Sequence, residues 1–109
     1  MMTMISMTSM MGVAACSGPR PEVEAVRLAP APGRAGSYLV EVSVRNRSGG
    51  EGEAKLVVRL RDPRTGEVFD GGSVSVDLSP HESARRVIEV RAPQGGRYVP
   101  EVEARYPAS

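Results

Sequence analysis

The residues able to do chemistry are few: one cysteine, Cys16, and one histidine, His81, stand among 109 residues. A lone cysteine excludes an intramolecular disulfide, and one Cys with one His cannot supply the ligands of a zinc site. His81 is followed by Glu82, so the loop holds one imidazole and one carboxylate, two or three ligands short of a metal site. Ser79 and Ser83 flank it as a nucleophile to its base, but a triad also needs a group to orient the imidazole, and none is evident. Glu101 and Glu103 are two residues apart, about 7 Å along a strand, a separation that two-carboxylate glycosidases also use. Their alternation with arginines reads more simply as a solvated face. Six methionines lie within residues 1–11, and thioethers are soft Cu(I) ligands, but a cleaved N-terminal segment would remove all of them. Arg85, Arg86, Arg91 and Arg97 are the main basic concentration; they lack the aromatics that stack bases, and the net charge is only +1. They fit an acidic partner or a lipid headgroup, not nucleic acid. No catalytic, cofactor or metal residue is therefore assigned, and His81 with Glu82 is kept as a candidate protein-binding loop.

The first sixteen residues carry no charge and no proline, whereas the next twenty are charged and rich in Pro and Ala. Such a break separates a targeting segment (1–16) from a linker (17–36). The apolar run from Met4 to Ala15 is too short for a bilayer, which takes about 20 residues, and suits the core of a signal peptide. At its end Val13-Ala14-Ala15-Cys16 resembles the lipobox of bacterial lipoproteins: a hydrophobic residue, two small ones, and the cysteine that is lipidated and becomes the mature N-terminus. The resemblance implies lipid on Cys16, a membrane as the first partner, and a domain on the extracytoplasmic side of the cell envelope. Each buried methylene of an acyl chain contributes about 0.8 kcal/mol, so several chains would hold the protein firmly.

From Ser37 to the C-terminus (37–109) the hydrophobic period is two, the signature of strands half buried in a sheet. Val40, Val42 and Val44 share one face, as do Leu56, Val58 and Leu60; Val74, Val76 and Leu78; Ile88 and Val90; and Val102, Ala104 and Tyr106. Turn residues separate these runs: Ser48–Gly52, Asp62–Gly66, Asp70-Gly71-Gly72, Ser79–Glu82 and Pro93–Gly96. A first strand near Glu22–Leu28, with a phase break that implies an edge position or a bulge, and a short one at Glu67–Asp70 bring the number to seven. One buried face per strand requires two sheets packed face to face, and seven short strands predict an immunoglobulin-like β-sandwich without the disulfide and tryptophan of antibody domains. With aromatics at 4% and no Trp the core must be Val and Leu, and Tyr38, Phe69, Tyr98 and Tyr106 are expected to contribute a large share of the packing. Val57, Val87 and Val99 fall on outward positions and raise the question of a joint apolar patch. Asn46-Arg47-Ser48 matches a glycosylation sequon but reads as a turn residue bonding local backbone.

Four strings, Val42–Gly49, Ala54–Leu60, Leu78–Ser83 and Gly96–Tyr98, together resemble bacterial CARDB-like and FxLYD-like modules. There a "V-x-N-x-G" leaves the second strand, an "L-x-P-G-E-S" loop precedes a late one and "G-x-Y" opens the last; His81 stands where those families often have Gly. The resemblance implies a non-catalytic, membrane-anchored binding or structural module of the envelope, working with another envelope protein. The alternative on the same fold is an inhibitor or accessory subunit of a secreted or envelope enzyme complex.

Overall fold

A computed structural model describes residues 18–107; the expected signal segment, its methionines and Cys16 lie outside the described residues. Six strands follow one another: β1 Pro21–Pro30, β2 Ser37–Asn46, β3 Gly52–Arg61, β4 Val68–Leu78, β5 Ser83–Arg91 and β6 Val99–Arg105. They form two three-stranded sheets, in the orders β1-β2-β5 and β4-β3-β6, and every pairing is antiparallel. The sheets close on each other as a sandwich. Val40, Val42 and Val44 of β2 and Leu56, Val58 and Leu60 of β3 are completely buried, joined by Val76, Leu78, Ile88 and Val90. Each fully buried side chain of this kind stabilises the fold by roughly 1.5–3 kcal/mol before entropy is counted.

The first strand is longer than the sequence led us to expect and lies at a sheet edge. A bulge at Glu24 shifts its register between Val23 and Ala25, which returns Val23 to the face shared by Val26 and Leu28. Most of the 17–36 stretch is therefore no tether, and the sandwich begins well before Ser37.

Asp70-Gly71-Gly72, expected to be a turn, is instead a bulge inside one strand, so Glu67–Asp70 is not a strand of its own and the described residues hold six strands, not seven. Opposite Val58 both Gly71 and Gly72 are accommodated, and Gly72 has a φ of 80°. A Cβ on Gly71 would come within 2.4 Å of Val90 Cγ2, so only glycine lets β4 cross this close to β5.

Two further expectations change. Tyr106 lies beyond the end of β6 and is 46% exposed, its ring lying over Gly18 and Gly52 instead of in the core. Val87 lies in the β1-β2-β5 sheet, whereas Val57 and Val99 lie in the other, so the three outward valines point away from the sandwich on opposite sides and form no joint patch.

Candidate functional site at the two ends of the sandwich

The strand directions gather the loops at two ends. One end holds the incoming chain at Gly18–Arg20, the β2–β3 loop, the β4–β5 loop with His81, and the chain's exit at Tyr106. The other holds the β1–β2, β3–β4 and β5–β6 loops.

Asn46 organises the first end. It is the last residue of β2, is fully buried, and bonds to three separate segments. Its Oδ1 accepts from the backbone N–H groups of Arg20 and Ser48, each at 3.0 Å, and its Nδ2 donates to the carbonyls of Gly50 at 2.7 Å and Ser79 at 3.0 Å. Two N–H groups facing one atom and two carbonyls facing the other fix the orientation of the amide. Ser48 Oγ extends the set, donating to the carbonyl of Gly18 at 2.8 Å and accepting from the N–H of Gly50 at 3.2 Å. Sequence reasoning had confined Asn46 to local turn bonds. Its partners at positions 20 and 79 are remote in the chain, and only the fold brings them together.

His81 and Glu82 are both exposed at this end. His81 adopts a φ of 58°, the left-handed conformation that explains why glycine would suit the position. Its N–H donates to the carbonyl of Ser48 at 3.1 Å, and Glu82 meets β2 through its backbone, accepting from the N–H of Asn46 at 2.8 Å. Of the two serines beside His81, Ser83 is engaged elsewhere, its Oγ donating to Glu24 at 3.2 Å. The two candidate binding residues thus share an exposed loop whose backbone is held by the Asn46 cluster.

The second end is sealed by aromatics. Tyr98 makes edge-on contacts with Tyr38, at 5.2 Å between ring centres, and with Phe69, at 5.6 Å. Its hydroxyl donates to the carbonyl of Pro93 at 2.6 Å, and desolvation raises its pKa above the ordinary tyrosine value. Asp62 caps the β3–β4 turn. The N–H of Arg64 donates to its Oδ1 at 2.9 Å, and that bond, aided by the Arg64 side chain, holds the carboxyl below its usual pKa. Gly66, with a φ of 78°, completes the turn by donating to the Asp62 carbonyl at 2.7 Å. Pro30, Ala31, Arg34, Tyr38 and Gln94 line a shallow depression here.

Charges on the outer faces pair off. Arg61 donates to Glu101 at 2.7 Å and Arg105 to Glu103 at 3.1 Å, and these bonds hold both carboxyls below the ordinary glutamate pKa. A general acid needs the opposite shift. Of the basic concentration, Arg85 meets Glu41 at 2.7 Å, and Arg86 donates to the carbonyl of Arg85 at 2.7 Å. Among the described residues no three His, Cys, Asp or Glu side chains come together to hold a metal, and no helix is long and apolar enough to cross a membrane. No protein-family model matches the chain, and a search of curated proteins finds no significant match.

Proposed function

We propose that this chain is a non-catalytic binding or structural module of the bacterial envelope, an immunoglobulin-like sandwich of the CARDB-like kind held to a membrane by lipid on Cys16. One observation supports the reading most directly: the fold takes hold of the chain immediately after the lipobox. Gly18 and Pro19 are already buried, and the carbonyl of Gly18 is bonded by Ser48. Lipid on Cys16 would leave Ser17 as the whole leash, and the Asn46 end would rest close to the headgroups. Strands of about ten residues, rising roughly 3.3 Å each, would then hold the aromatic end about 30 Å from the anchored one. The loops of that far end are the surface such a module would offer to another envelope protein.

The test is the intact mass of the protein recovered from membranes of a bacterial host, wild type beside Cys16→Ser. A chain beginning at Cys16 and carrying acyl mass, lost in the variant, is the expected result. A soluble, unacylated chain that still begins at Met1 would overturn the proposal.

A further inference from the structure

The four edge strands of the sandwich are not equally protected. β1 has proline at both ends and a bulge between them; β4 carries its glycine bulge; β6 is short and includes Pro100. Such features keep edges from pairing with other chains. β5 has none of them. Its nine residues contain neither proline nor glycine and pair with β2 without a shift in register.

The hydrogen bonds that bracket β5 show which of its groups are free. Asn46 N–H donates to the carbonyl of Glu82 before the strand, and Ala92 N–H donates to the carbonyl of Gly36 after it. Alternate residues of an antiparallel ladder bond to the same neighbour. The even-numbered residues therefore bond to β2, and Ser83, Arg85, Val87, Glu89 and Arg91 direct their N–H and C=O groups to the open edge. Val87, at the middle of that row, is 59% exposed.

We propose that β5 pairs with β5 of a second copy, antiparallel, about a two-fold axis through Val87. This register sets Val87 against Val87, and twice sets Arg85 against Glu89. Each Arg85 already meets Glu41 and each Glu89 already meets Arg34, so the junction joins two ion pairs into a row of alternating charge, Arg34, Glu89, Arg85, Glu41. A two-fold at Arg85 or at Glu89 would instead oppose like charges, which destabilises a cross-strand pair. The side chain of Arg86 already donates to one edge carbonyl, that of Arg85, and the second lone pair of this oxygen remains for Glu89 N–H of the other copy. The result is a continuous six-stranded sheet with an isologous interface. The inference is independent of lipidation at Cys16.

Full-length chain carrying Cys16→Ser provides the test. With Val87→Cys added, mild oxidation is expected to link the copies, since paired strands bring Cα atoms to about 5.5 Å, within disulfide range. Ser75→Cys, exposed on β4, is the control and is expected to remain uncross-linked. In sedimentation without added cysteine, Arg85→Glu and Glu89→Arg, each setting like charges against each other across the junction, should each weaken the dimer about tenfold. Val87→Pro removes an N–H that points to the open edge, so it should give a folded monomer by circular dichroism. A parent that sediments as a monomer at all concentrations, equal cross-linking at positions 75 and 87, or a dimer untouched by both charge reversals would each overturn the proposal.

Discussion

The two ends of the sandwich enclose the same Val/Leu core by different means. At the end where the chain enters, one buried asparagine satisfies backbone groups of three segments. At the far end, Tyr98 closes the opening with two aromatic contacts and one hydroxyl bond. A buried hydrogen bond is costly to leave unmade, whereas the loss of an edge-on aromatic contact, worth roughly 0.5–1.5 kcal/mol, leaves no polar group unpaired. The difference teaches that the entry end depends on one residue that holds three segments in place, whereas the far end is closed by several contacts, each individually weaker.

Asn46→Ala is the strongest way to break this comparison. It strips partners from the N–H groups of Arg20 and Ser48 and from the carbonyls of Gly50 and Ser79 in one step. Leaving such groups unpaired costs about 1–3 kcal/mol each where water cannot replace the bond, so a loss of about 3 kcal/mol or more is expected in denaturant unfolding. Asn46→Asp should cost as much, because its second oxygen would face two carbonyls. Tyr98→Ala should cost less, about 2 kcal/mol, since the ring is only partly buried and each edge-on contact is worth roughly 0.5–1.5 kcal/mol. Tyr98→Phe should lose about 1 kcal/mol with the Pro93 bond. A larger loss at Tyr98 than at Asn46 would invert the comparison.

The contrast between the ends also marks what the sequence could convey. The inward faces of β2, β3 and β5 were legible because strict alternation leaves one assignment for Val40, Val42, Val44, Leu56, Val58, Leu60, Ile88 and Val90. Gly71-Gly72 was misread because the same dipeptide serves a turn or a bulge, and only the partner strand decides between them. Tyr106 kept the phase of β6 but followed its last residue, so the periodicity ran past the structure. Asn46 stood in a string that resembled a turn motif, yet its role depends on Arg20 and Ser79, 26 and 33 residues away. Nothing local announces such a residue.

Acid sharpens the comparison at the far end. The carboxyl of Asp62 is lowered below its ordinary value of 3.8 by the Arg64 N–H and side chain, and those of Glu41 and Glu89 are lowered below 4.5 by hydrogen bonds, from Arg85 to Glu41 and from Ser37 and Arg34 to Glu89. A carboxyl whose pKa is depressed on folding contributes stability above its unfolded pKa and loses it as the pH falls through the folded value. Stability should therefore decline below about pH 4.5. Asp62→Asn keeps an acceptor for Arg64 N–H but removes the charge. It should lower stability at neutral pH, and its gap from wild type should close as the pH falls below 3.8. A gap that stayed constant with pH would mean that Asp62 contributes through turn geometry alone.

The smallest expected effect has the opposite sign and lies in the candidate binding loop. His81 holds a φ of 58°, where a residue with a Cβ is strained by roughly 1–2 kcal/mol. Glycine removes that strain but brings back about 0.5–1 kcal/mol of chain entropy, so His81→Gly should stabilise the fold by a few tenths of a kcal/mol up to about 1 kcal/mol. His81→Ala keeps the Cβ and should leave stability nearly unchanged. The backbone bond from His81 N–H to Ser48 survives in both, so the Asn46 end stays intact and the pair isolates the imidazole. If a partner captured by wild type is captured equally by both variants, the loop serves the fold, and the proposal of a partner surface at the aromatic end stands. If both lose that partner while His81→Gly gains stability, then a strained residue is retained at the entry end for recognition, and the proposed division of roles between the two ends no longer holds.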